Sequence, residues 1–157
     1  MAMDKAADKL VAKAAKLDAK GKDGGNELRQ TSASLRSGAS ALRSDGSDGK
    51  IANAVDSKTY KEMGGSATGA AFVNGAGGKV MTVNINNKDA WGGDSSTTRW
   101  VLGHESLHTA GMSDQLGSNG KKAYKFADEI NRDAYDSITG TPKAKQNPDH
   151  VMGIVYP

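Results

Sequence analysis

The chain predicts a small α+β protein: a small mixed sheet, one helix that carries the chemistry, and additional helices in the N-terminal part. Three observations predict it. Residues 3–20 and 26–43 place apolar side chains at helical spacing. Residues 70–74 and 79–86 read as strands on either side of a glycine-rich loop. Residues 104–114 spell H-E-x-x-H-x-x-G-x-x-D, whose two histidines share one face when the segment is helical.

The first helix, residues 3–20, is rich in Ala and Lys, which favour helix. Leu10, Val11, Ala14 and Leu17 form its narrow apolar stripe, and Gly21 and Gly24-Gly25 end it. The second runs from Asn26 to Arg43, with Leu28, Leu35, Ala39 and Leu42 on one side. Residues 44–49 are a loop by composition. Residues 1–49 are therefore expected as a helical segment or extension, and residues 50–157 as the catalytic domain. The N-terminal helices read as an arm for a membrane or partner, as a pair packed on the core, or as a residual linker from a larger protein. Asp and Lys alternate there and no large basic face emerges, which favours packing.

Two strands follow, with Gly75-Ala76-Gly77-Gly78 as a hairpin loop. In the second, Met81, Val83 and Ile85 share the apolar face, and Val80, Thr82, Asn84 and Asn86 the other. That strand, Met81 to Asn86, is a candidate edge for an extended peptide. Asp94, Ser95, Ser96 and Thr97 offer N-caps to the motif helix, expected from Thr97 to Ala110 with Trp100, Val101 and Leu107 on its buried side. A further helix is expected from Lys121 to Ile138, stopped by Thr139-Gly140-Thr141-Pro142.

In the motif helix His104 and His108 lie one turn apart and can grip one metal ion. Glu105 is about 100° round from His104, where its carboxylate can reach a water beside the ion without being a ligand. Gly111 suits a helix end with positive φ, after which the chain can return Asp114 as a third ligand. Three protein ligands and an open position describe a catalytic zinc site; a structural one would be closed. With three His and four Glu in the chain, H-E-x-x-H arises by chance in roughly one such chain in 10³. Requiring Gly and Asp at their offsets lowers that to roughly 10⁻⁵. The competing readings are two solvent-facing histidines, and a zinc that only holds the fold.

Composition narrows the function classes. At 157 residues the chain can bury a real core, although Gly reaches 20 and aromatics only 5%. The absence of cysteine rules out disulfides and a Cys-based zinc site, and leaves the compartment open. No apolar run approaches the roughly 20 residues of a membrane helix. The first residues lack the apolar stretch of a signal peptide, so secretion would use another route, or the chain is one domain of a longer product. A net charge of +3 does not point to nucleic acid.

The motif together with the tail Asn147-Pro148-Asp149-His150-Val151-Met152-Gly153-Ile154-Val155-Tyr156 resembles the metzincin clan of zinc peptidases. That clan pairs an extended H-E-x-x-H-x-x-G-x-x-H/D motif with a later Met-turn beneath the metal. The resemblance implies a zincin-like fold and zinc ligands His104, His108 and Asp114. It also implies Glu105 as base, Met152 as Met-turn residue and Tyr156 as helper of the oxyanion. Asp as third ligand is the minority form, similar to small bacterial snapalysin-type peptidases, and Tyr156 follows Met152 by four residues where two is commoner. Residues 69–157 are also similar, at these two motifs, to zincin-like toxin domains of bacterial polymorphic toxins and type VI secretion effectors. That similarity implies delivery by a dedicated secretion system and an immunity protein as partner. His150 has three open readings: a ligand in place of Asp114, a donor to the oxyanion, or a polar residue ordering the turn before Met152.

The expected activity is hydrolysis of peptide bonds in a protein or peptide substrate, with Zn2+ as cofactor and Glu105 moving the proton from water to the leaving amine. An Asp ligand adds negative charge and makes the zinc a weaker Lewis acid than three histidines would. Two other classes stand beside it: a non-catalytic zinc-dependent protein-binding module, and an interaction protein whose N-terminal helices do the work.

Overall fold

The computed structural model describes residues 1–92 and 95–157. They form an α+β chain with seven α-helices and one three-stranded mixed sheet. None of these helices is long and apolar enough to cross a membrane. The chain divides into two compact units, Met1–Arg36 with Met112–Pro157, and Ser37–Gly111. This grouping differs from the division at residues 49 and 50, because residues 1–36 share a unit with the C-terminal segment, while residues 37–43, the end of the second helix, group with the sheet.

In that unit, α1 (Ala2–Asp18) buries Met3, Ala6, Ala7, Leu10 and Ala14, a stripe at intervals of three and four residues. Val11 was expected in the stripe and is exposed, since one residue beyond Leu10 turns it about 100° away. Gly21 and Gly24, at φ 61° and 99°, break the chain before α2 (Gly25–Arg43). Ala7 lets α2 approach closely enough for the Ser32 hydroxyl to donate to its carbonyl at 3.0 Å. α1 also packs on α7 (Pro148–Val155), which starts at Pro148 with the Asn147 side chain as its cap.

The helix expected over residues 121–138 is shorter. α6 runs Glu129–Ile138, capped by Asp128, whose side chain accepts from the Asn131 amide at 2.9 Å. Ahead of it the backbone is held open by side chains from elsewhere. Asn147 donates to the Ala123 carbonyl at 2.9 Å, Asn131 donates to the Lys122 carbonyl at 2.7 Å, and Asp149 accepts from the Lys125 amide at 2.6 Å. These bonds satisfy groups that a helix would have used internally. Phe126 and Ile130 are exposed, while Ala134 and Ile138 pack with Ala123 and Tyr135. Met152 is fully buried as the Met-turn reading wants, but it sits within α7 where that reading expects a turn. The asparagine cap and the proline after it start a helix at that point.

The second unit holds the sheet, in order β1-β3-β2. β2 (Ala71–Val73) and β3 (Val80–Asn84) are antiparallel across the glycine loop, with Phe72 opposite Thr82. β1 (Ile51–Val55), a segment whose pattern had suggested no element, pairs parallel with the other side of β3. β3 is therefore the central strand, which corrects its reading as an edge for a peptide. Its polar face is buried as well: Thr82 and Asn84 are enclosed, and Ile85 stands exposed. Asn84 explains why. Its side chain accepts from the Ser57 hydroxyl at 3.0 Å and donates to the Gly69 carbonyl at 3.3 Å. A buried amide with such partners costs little to enclose. Around the sheet lie α3 (Ser57–Glu62), α4 (Lys88–Trp91) and the motif helix α5 (Ser95–Thr109), which packs on β2, β3 and α4.

Candidate metal centre

α5 begins at Ser95, two residues before the expected start. Ser95 accepts from the Arg99 guanidinium at 2.7 Å inside the first turn. The Asp94 cap lies outside the described residues. The helix is anchored to α4 by the Thr98 hydroxyl, which donates to the Ala90 carbonyl at 2.9 Å. Leu107 fixes its inner face, fully buried; Trp100 and Val101 are half-buried.

Two glycines terminate it. Gly111, at φ 92°, turns the chain left-handed and donates to the His108 carbonyl at 3.0 Å. Gly77, from the β2–β3 loop and at φ 81°, donates to the same carbonyl at 2.7 Å. The loop glycines were read only as a hairpin turn. One of them also clamps the helix end beside the second histidine.

Within α5, His104, Glu105 and His108 come together. The Nε2 atoms of His104 and His108 are 3.1 Å apart, with the rings at 74°. Two nitrogens bound to one tetrahedral zinc, each at about 2.0–2.1 Å, are about 3.3 Å apart. The imidazole pair thus fits one ion with little movement. The three ligand atoms lie within 4.8 Å of one another, and both His104 and Glu105 are buried. Nitrogen donors of this kind suit zinc and its neighbours among the transition metals better than magnesium or calcium.

Tyr60 is a residue that motif reading missed. It is 1% exposed, and its hydroxyl is pushed up to about 12, first by burial and then by the Glu105 charge. Its ring meets Phe72 edge-on at 5.2 Å. A Cβ at Gly65 would fall 2.1 Å from the ring, and one at Gly69 2.6 Å from the hydroxyl. The signal was there in Gly65 and Gly69, which clear space for a buried aromatic. The same unit contains a cleft of about 440 Å³ reached by Leu102 and Thr109 of α5, and none of the three motif side chains lines it.

The other expected site residues belong to the first unit. Asp114 Oδ2 accepts from the Tyr124 hydroxyl at 2.7 Å and from Lys122 Nζ at 3.0 Å. His150 stacks on Tyr135 with centroids 3.7 Å apart, and its Nε2 is 2.9 Å from the Thr139 hydroxyl. That hydroxyl is also 3.1 Å from the Tyr135 carbonyl, so it links the ring to the backbone of α6. Burial lowers the affinity of His150 for a second proton, against the opposing charges of Asp149 and Asp136. Tyr156 ends α7, its amide donating to the Met152 carbonyl at 2.9 Å. A scan of family models, a search of curated proteins and a search of solved structures each find no match to this chain.

Proposed function

We propose that the chain is a zinc-dependent endopeptidase of the metzincin-like kind, acting as a bacterial effector or toxin. The observation that carries the proposal is the 3.1 Å separation of the two imidazole nitrogens with a buried glutamate beside them. A zinc ion held there would supply a Lewis acid and lower the pKa of a coordinated water to about 7.

The chain's own groups would do the rest. His104 and His108 present Nε2 and keep their protons on Nδ1. Glu105 accepts the proton of the attacking water and hands it to the departing amine. Buried beside Tyr60, it works where electrostatic interactions are strong. Asp114 is the third ligand in this reading, on the strength of its ten-residue offset from His104 across Gly111. The bonds from Tyr124 and Lys122 would orient it, as outer partners orient metal-binding carboxylates. Tyr156 is the proposed donor to the oxyanion, on the resemblance alone. We assign His150 to the ordering of α7, because Tyr135 and Thr139 already engage its ring.

The effector part of the proposal rests on the two motifs, with a dedicated secretion system for delivery and an immunity protein as partner. The test is incubation of the zinc-loaded chain with a whole-cell lysate, with Glu105→Gln as control. Fragments that appear only with the unaltered chain identify the substrate. If both forms bind zinc and neither cuts, the proposal gives way to a zinc-dependent binding module.

A further inference from the structure

β1 is an edge strand without the usual protection. Edge strands are commonly blunted by proline, by charge within the strand or by a covering element. Ile51-Ala52-Asn53-Ala54-Val55 has no proline and no charge. Among the described residues, β3 is the one element with which β1 makes extensive contact.

The bonds to β3 define which groups face outward. The Ile51 amide donates to the Lys79 carbonyl, and the Val55 carbonyl accepts from the Ile85 amide, both at 3.0 Å. In a parallel pair, alternate residues turn both main-chain groups to the same neighbour. Ile51, Asn53 and Val55 thus face β3, and Ala52 and Ala54 turn their N–H and C=O to the open side.

The strand is also nearly palindromic. Read in either direction it is a branched aliphatic, Ala, Asn, Ala, a branched aliphatic, with Lys50 before it and Asp56 after it. Laid antiparallel on a second copy with Asn53 opposite Asn53, Ala52 meets Ala54 as a hydrogen-bonded pair on each side of the two-fold axis. That register forms four main-chain bonds between copies. It places the exposed Ile51 opposite Val55 of the other copy, and Lys50 opposite Asp56. Each residue meets a suitable partner, and each pairing occurs twice, as a two-fold interface requires.

We propose that β1 is a self-association surface, through which two copies join their sheets into one six-stranded sheet. Lys50 exchanges its exposed partner Asp48, 3.4 Å away within the chain, for Asp56 of the second copy. Asp56 uses one oxygen to cap α3, accepting from the Thr59 amide at 2.8 Å.

The absence of cysteine makes the register testable. In Asn53→Cys the two new side chains form a non-hydrogen-bonded pair, with Cα atoms about 4.5 Å apart, inside disulfide range. In Ile51→Cys they are displaced by four residues, about 13 Å, and out of range. Under mild oxidation Asn53→Cys should give a linked dimer and Ile51→Cys should not. In sedimentation equilibrium the unaltered chain should dimerise. Lys50→Glu and Asp56→Lys, each turning two attractive pairs repulsive, should weaken that roughly tenfold. Mixed together, the two variants should restore dimers. An unaltered chain that stays monomeric at about 1 mM overturns the proposal. So does Ile51→Cys linking as fast as Asn53→Cys.

Discussion

Replacing Glu105 by Gln separates two roles that the geometry allows the carboxylate. It lies with His104 and His108 in a set of ligand atoms within 4.8 Å. Two ligands of one zinc cannot be further apart than about 4.2 Å, twice the longest usual bond to nitrogen. The imidazole nitrogens, at 3.1 Å, meet that limit easily. The 4.8 Å bound on the set leaves the Glu105 carboxylate room either to bind an ion after a small movement or to stand one water away. Gln keeps the volume of Glu, so a side chain only 8% exposed is replaced without a cavity. It cannot accept the proton. Losing a general base costs about 10²–10⁴ in rate, which is about 3–5 kcal/mol at 1.36 kcal/mol per tenfold. The assay is kcat/KM on a peptide taken from a lysate substrate, beside zinc content after dialysis against a weak chelator. Zinc should stay at one per chain while turnover falls by that factor. Loss of zinc would show that Glu105 is a ligand, and undiminished turnover would remove it from the chemistry.

Other consequences can be measured on the same protein. His104→Ala or His108→Ala should abolish zinc binding. Each should also erase the stabilisation that zinc gives the parent, about 2.7 kcal/mol at a hundredfold excess over Kd, read as a shift in Tm. Asp114→Ala should weaken zinc by more than roughly tenfold and His150→Ala should leave it, by chelator competition; the reverse order would require another third ligand. Gly111→Ala meets no neighbouring atom and strains only the backbone at φ 92°. It should cost about 1–2 kcal/mol, a fall in Tm of about 2–8 °C in calorimetry. His150 is held below its ordinary value of 6.5, so the unfolded chain binds its proton more readily than the folded one. Its contribution to stability is whole above pH about 6.5 and is lost as pH falls from there through the folded value. His150→Phe, which keeps the stack on Tyr135, should show a smaller loss of Tm between neutral and mildly acidic pH; an unchanged slope would exclude His150 as its source.

Local rules wrote some parts of this protein plainly. The break at Gly21 and Gly24, the hairpin, the helix of the motif and its end at Gly111 all follow from residues that are neighbours in sequence. What stayed hidden depends on partners far along the chain. Strand β1 lacks any alternating pattern because its partner β3 shields little of it, and three of its five residues are exposed. Thr82 and Asn84 look like a solvent face until Ser57 and Gly69 arrive to pair with Asn84. Residues 121–127 have helical spacing, yet Asn131, Asn147 and Asp149 take their backbone groups. For the site, the triad of His104, Glu105 and His108 needs only one turn of helix and was legible. Tyr60 was not, since it is the sheet that carries it to the Glu105 side of α5.

The clamp of Gly77 on the His108 carbonyl would tie the hold on any metal at the triad to the integrity of a hairpin. An imidazole is only as steady as the peptide unit from which it hangs, and this one is moored to a loop 31 positions earlier in the chain. When the hairpin opens, the last turn of α5 loses one of its two moorings and His108 gains freedom to swing away from His104. Were the proposed ion bound, its capture and the closure of the hairpin would draw on one another, so that each ligand bond formed would also restrain the loop. Fraying of β2 from β3 would consequently be felt as a leak of metal, at a distance from any atom that touches it.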